Sequence, residues 1–232
     1  MIAAIFVGSF LLFGALIAFA VSLGGTTLPK TMSPLLLKVM LAAQCMAYLA
    51  VLLFMYVLIV RYYGRRFGEA VRWVAPRAGQ WLYYILAGVA LSFAIGLLSR
   101  LLPFPRTLPI DQYFQDRTSA WLMTIFGVSM APLVEELFYR GFLYPVVARR
   151  LGVAAGTAIT AAAFALMHSA QLAYSWGPLL VLFLVGLVFT IARIVTRSVV
   201  PGFLMHVGYN ATLFSLLYVA SDGFRHLEKA LQ

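Results

Sequence analysis

Along this chain, apolar residues come in long blocks instead of the alternation of a strand or the one-sided stripe of a helix in water. Blocks near residues 2–23, 39–60, 81–102, 120–147, 153–170, 176–195 and 199–220 carry very little charge over most of their length. A helix rising about 1.5 Å per residue needs roughly twenty such residues to cross a hydrocarbon core of about 30 Å. The pattern predicts an all-α polytopic transmembrane helical bundle of about seven spans. No repeat or soluble segment divides it, so residues 1–232 read as a single membrane domain. Residues 1–118 supply N-terminal helices and a basic loop, and 119–221 a four-helix core. The first block lacks a basic leader and exceeds the usual apolar core of a secretory signal, so it reads as a retained span.

Composition strengthens the same conclusion. Apolar residues make up 63% of the chain and charged residues 10%, with a mean hydropathy of +0.96. Soluble domains carry about a quarter charged residues and could not hide this much apolar surface. The net charge of +10 does not point to nucleic acid, because the basic residues sit in short patches between apolar blocks. Arg61, Arg65, Arg66, Arg72 and Arg77 crowd the second connection, Arg149 and Arg150 the fourth, and Arg193 and Arg197 the sixth. By the positive-inside rule the N-terminus is cytoplasmic and, with seven spans, the C-terminus lies outside. The stretch 61–77 interleaves arginine with Tyr62, Tyr63, Phe67, Val71, Trp73 and Val74. It suits a basic amphipathic segment on anionic headgroups, or an ordinary charged loop with interfacial aromatics. Cys45 is the sole cysteine, which excludes an intramolecular disulfide.

Candidate chemistry is confined to a few polar residues inside the blocks. Of seven acidic residues, five fall in loops or the polar C-terminal tail, but Glu135 and Glu136 follow a run of uncharged residues inside the fourth block. An acidic side chain in mid-membrane costs about 2.5–3.5 kcal/mol on insertion scales, so two in succession demand partners or a function. Neighbours on a helix point about 100° apart, whereas residues four apart share a face. Glu136 therefore pairs with Arg140, and Glu135 is left for a reactive role. His168 and His206 are also intramembrane, with Phe164 four before the first and Asn210 four after the second. From the nearest basic anchor or helix start, the depths come to about 21 Å for Glu135, 13 Å for His206 and 22 Å for His168. Tilt can reconcile them. A carboxylate desolvated among apolar side chains is a competent general base for water near neutral pH. His206 and Asn210 can donate to a developing oxyanion, and His168 can hold Glu135 or the water.

The motifs Glu135-Glu136-Leu-Phe-Tyr-Arg140, Phe164-Ala-Leu-Met-His168 and His206-Val-Gly-Tyr-Asn210 together resemble those of the CAAX protease and bacteriocin-processing (Abi) family. These are intramembrane glutamic proteases that include the type II CAAX prenyl endopeptidases. The resemblance covers the last four blocks, and the eukaryotic members have a design of eight spans. It implies that Glu135 activates the water, Glu136 and Arg140 form a supporting ion pair, His168 assists Glu135, and His206 with Asn210 makes the oxyanion site. Phe164 would support His168, and no cofactor is implied. The implied location is a bacterial cytoplasmic membrane, since bacterial relatives act in peptide maturation, immunity or sorting. Short loops leave little room for a soluble recognition domain, which favours a membrane-tethered peptide or C-terminal sorting segment as substrate.

Three other readings compete. Two histidines and two glutamates are zinc-type ligands, but no His-Glu-x-x-His spacing occurs and Arg140 disfavours a cation. A proton-coupled transporter would use buried Glu and His, but neither an inverted repeat nor paired broken helices is visible. A non-catalytic immunity or scaffold protein would not need every motif position filled by a competent residue. Oligomeric state has no signature in the sequence.

Overall fold

The computed structural model describes residues 32–226, so the block at 2–23, expected as the first span, lies outside the described residues. All regular structure among the described residues is helical. Five stretches are long and apolar enough to cross a bilayer: Pro34–Tyr62, Ala78–Ser99, Arg117–Met167, Trp176–Thr196 and Val200–Ala220. The described residues are thus all-helical, and the protein is an integral membrane protein.

Helix α1 spans Pro34–Tyr56 and begins where sequence chemistry allows, with Pro34 in its first turn and Ser33 Oγ accepting from Leu36 N at 3.2 Å. It widens into a π-helical end, Val57–Tyr62. A short helix α2, Phe67–Val71, interrupts the arginine-rich connection. Its Val71 is fully buried against Met55, Ile59, Leu137 and Val199, while all five arginines of the segment stay exposed. Helix α3 is Trp81–Ser99, α7 is Trp176–Thr196 and α8 is Val200–Ala220.

The blocks at 120–147 and 153–170 are separate, as expected, although they follow each other within one helical stretch of 51 residues. Gly152 interrupts it at φ 85° and ψ 166°, a backbone conformation open to glycine. A Cβ placed on Gly156 would lie 2.8 Å from the Ala148 Cα, although residues eight apart in a straight helix stand about 12 Å apart. The chain therefore doubles back at Gly152, and α6, Tyr144–Met167, is two arms joined at a bend.

The expected regular helix at 120–147 is also broken. It is divided into α4, Arg117–Val128, and α5, Met130–Glu136, at Ser129, whose φ and ψ are −116° and −78°. Pro132 causes the break. It has no N–H for the Val128 carbonyl, and its ring crowds that same group. A π-helical turn, Leu137–Leu143, follows α5, and Pro145 beyond it likewise leaves the Gly141 carbonyl without its helical donor.

Helices α3 and α8 touch backbone to backbone. A Cβ on Gly88 would run into the Met205 carbonyl, and one on Gly208 into that of Ile85. Around this seam Ile95, Val181, Val185, Phe189, Met205 and Tyr209 form the largest apolar cluster. The two ends of the bundle are tied separately. At one, Val199 N donates to Arg72 O at 3.1 Å and Ser198 Oγ to Val74 O at 2.7 Å. At the other, Ile110 N donates to Gln171 O at 3.2 Å, and Phe224 stacks against Phe114 and Trp121.

Candidate active site

The polar residues singled out from sequence come from three separate chain segments and converge. Glu135 and Glu136 end α5, His168 caps α6, and His206 lies two turns into α8. Glu136 and Arg140 are both fully buried, and Arg140 Nη1 donates to Glu136 Oε1 at 2.7 Å. All three guanidinium nitrogens are used: Nε faces Thr190 Oγ1 at 3.3 Å and Nη2 donates to the Gly186 carbonyl at 2.9 Å. Phe164, Phe189 and Tyr139 surround the cation, with ring centroids 4.7, 5.4 and 5.7 Å from Cζ. A buried charge tolerates its surroundings only when paired and bonded in this way.

His206 bridges the two glutamates. Its Nδ1 stands 3.2 Å from Glu136 Oε1 and its Nε2 3.8 Å from Glu135 Oε2. A carboxylate accepts, so Nδ1 carries the donating proton and Nε2 is turned toward Glu135. His168 is fixed in the same sense. Its Nδ1 donates to the Phe164 carbonyl at 2.8 Å, and its Nε2 faces Glu135 Oε1 at 3.9 Å. Both Nε2 to carboxylate separations are too long for a direct hydrogen bond, yet short enough for one oxygen atom to bond both sides. The Phe164 ring lies between the imidazoles, 4.9 Å from His168 and 5.9 Å from His206.

The remaining candidate, Asn210, is placed differently from its neighbours. It is half-buried, and its Nδ2 donates to the Gly127 carbonyl at 2.7 Å, tying α8 to the end of α4 beside the break at Ser129. One amide hydrogen remains for another acceptor.

Sequence reasoning missed several residues around these groups. Tyr48, on α1, donates its phenol to Glu135 Oε1 at 2.5 Å. Its faint signal was a polar pair, Gln44 and Tyr48, on one face of an otherwise apolar helix. Thr190 four residues after Gly186 marks the face of α7 that receives Arg140. Gly202, four before His206, lets the carboxylate of Glu136 approach α8: a Cβ there would lie 2.9 Å from Glu136 Oε2. That oxygen has no hydrogen-bond partner among the described residues.

Charge sets what this arrangement can do. Two carboxylates and one guanidinium leave a single negative charge when both imidazoles are neutral. One proton, on Glu135 or an imidazole, brings the group to neutrality, the least costly state in hydrocarbon. Among the described residues no group of three His, Cys, Asp or Glu side chains is arranged to hold a metal ion.

Fold and site together define a helical membrane protein with a carboxylate and two imidazoles meeting inside it. Residues 117–212 match the family described as Type II CAAX prenyl endopeptidase Rce1-like, and this part of the chain is a domain of that family, whose members are proteases. No curated protein and no solved structure gives a match.

Proposed function

We propose that the protein is an intramembrane endopeptidase that hydrolyses a peptide bond of a membrane-associated protein or peptide by means of a water activated by Glu135. The observation that carries this reading is the position of the Glu135 carboxylate, 8% exposed and within 3.9 Å of Nε2 of imidazoles from two different helices. The separations suit a water bonded between carboxylate and imidazole. His168, with 22% of its side chain exposed against 5% for His206, marks the side from which a substrate carbonyl arrives.

In this mechanism Glu135 takes a proton from the water as the water oxygen attacks the carbonyl carbon. The oxyanion that forms is met by His206, protonated at both nitrogens, with Nδ1 on Glu136 and Nε2 toward the substrate. The free amide hydrogen of Asn210 adds a second donor. Collapse of the tetrahedral intermediate breaks the C–N bond, and the proton held by Glu135 passes to the leaving amine. Arg140 acts through Glu136, balancing its charge and fixing its Oε1.

The protein would sit with 61–77, 149–150 and 193–197 on the cytoplasmic side. The bond between Arg72 and Val199 supports a shared side for the second and sixth connections. The substrate would be a tethered peptide or C-terminal sorting segment.

The test is to compare membrane proteomes of cells carrying the native protein and Glu135→Gln. One precursor should accumulate uncut, with turnover by the purified variant falling at least about 10³-fold and thermal stability unchanged. Normal processing by Glu135→Gln would remove this carboxylate as the base. The native activity should also withstand a chelator, whereas inhibition reversed by zinc would mean a metal mechanism.

A further inference from the structure

We infer that Tyr48, on a helix outside the segment that matches the family, is a positioning residue for the base: its phenol holds Glu135 in register with the two imidazoles. This rests on Glu135 being the base.

Three observations carry the inference. The Tyr48 hydroxyl donates to Glu135 Oε1 at 2.5 Å, while neither imidazole nitrogen comes closer to Glu135 than 3.8 Å. Tyr48 is thus the one described side chain bonded directly to that carboxylate. The tyrosine itself has little freedom. It is 8% exposed, its ring centroid is 5.4 Å from that of Phe126, and Leu41, Ala131 and Val134 complete the packing. Finally, the bond is specific in its geometry. Oε1, the oxygen turned to His168, receives the phenol, so Oε2 keeps its orientation toward His206. A glutamate has three rotatable bonds, and without this anchor the carboxylate can rotate away from both imidazoles.

A hydrogen bond to a charged oxygen is short and strong, so it holds its acceptor in place. The groups that share this environment are Tyr48 from α1, Glu136 from α5, Tyr139 and Arg140 from the π-helical turn, His168 from α6 and His206 from α8. Tyr48→Phe keeps the ring and removes only the donor.

Full-length protein in detergent or liposomes should be assayed on its peptide substrate for kcat and KM separately. For Tyr48→Phe we expect kcat to fall about 10-fold, with KM and melting temperature unchanged. Native kcat in Tyr48→Phe, or a loss of kcat that only follows a fall in melting temperature, would overturn the inference, since lost packing acts through stability. Should Tyr48→Phe not fold, a fluorinated tyrosine at residue 48, a stronger donor, gives the opposite reading. Its kcat should stay at or above the native value, and a fall would reject the role. Glu135→Gln run in parallel separates the two claims. An active Glu135→Gln protein refutes the base itself, whereas an inactive one beside a native-like Tyr48→Phe refutes only the tyrosine's part.

Discussion

Arg140 is the largest fully buried side chain among the described residues, and its surroundings explain why a cation can stay there. Each nitrogen has a partner on Glu136, Thr190 or Gly186, and aromatic faces close the rest of the space. Arg140→Ala leaves the Glu136 carboxylate buried and unpaired, which should cost about 3–5 kcal/mol and lower the melting temperature in detergent along with activity. A stable and active Arg140→Ala protein would show that the pair carries neither load. Lysine is a poor substitute, because a point charge cannot reproduce a three-way fork. At this scale the sequence was highly informative. The four-residue spacing of Glu136 and Arg140 fixes their contact whatever the rest of the chain does, since a helical turn brings them together. His206 stood out in the sequence as a candidate, but its bond to Glu136 and its approach to Glu135 did not, because a contact across 70 positions leaves no local trace.

Among the elements, the stretch from α4 to α6 shows where periodicity alone misleads. Hydropathy sees 120–147 as one uniform block, because proline and glycine alter hydrogen bonding without making a segment polar. The break at Ser129 and the π-helical turn at Leu137–Leu143 flank Glu135 and Glu136, and together they set the direction in which the two acids face. Pro132→Ala restores a donor for the Val128 carbonyl and lets the helix run straight through Ser129. We expect unchanged or raised thermal stability but activity reduced by about 10-fold or more, because even a small misplacement of reacting groups is costly. Full activity in that variant would show that the break is incidental to the site. The bend at Gly152 was likewise invisible to a hydropathy pattern, although the block boundary near it was not.

Across the whole molecule, two bonded seams decide which connections share an end. Arg72 and Val74 are joined to residues 198 and 199, and Ile110 to Gln171, so the arginine-rich connections lie at one end and the loop after α3 at the other. In a protein with Cys45 replaced, cysteines introduced singly as Arg65→Cys and Arg106→Cys should respond oppositely to an impermeant maleimide. Intact cells should label residue 106 and spare residue 65. Labelling of both from one side would contradict the separation of the ends, and the reverse pattern would invert the orientation.

By itself, the sequence determined the solvent and the helical class and singled out the few side chains proposed to do the chemistry, because the cost of placing charge and unbonded backbone in hydrocarbon acts residue by residue. It could not determine that Tyr48 would reach Glu135 from 87 positions away, that Gly202 would make room for Glu136, or that helices far apart in the chain would bring two imidazoles to one carboxylate. Those contacts follow from how helices tilt, break and lock together, and only the packed tertiary structure sets these.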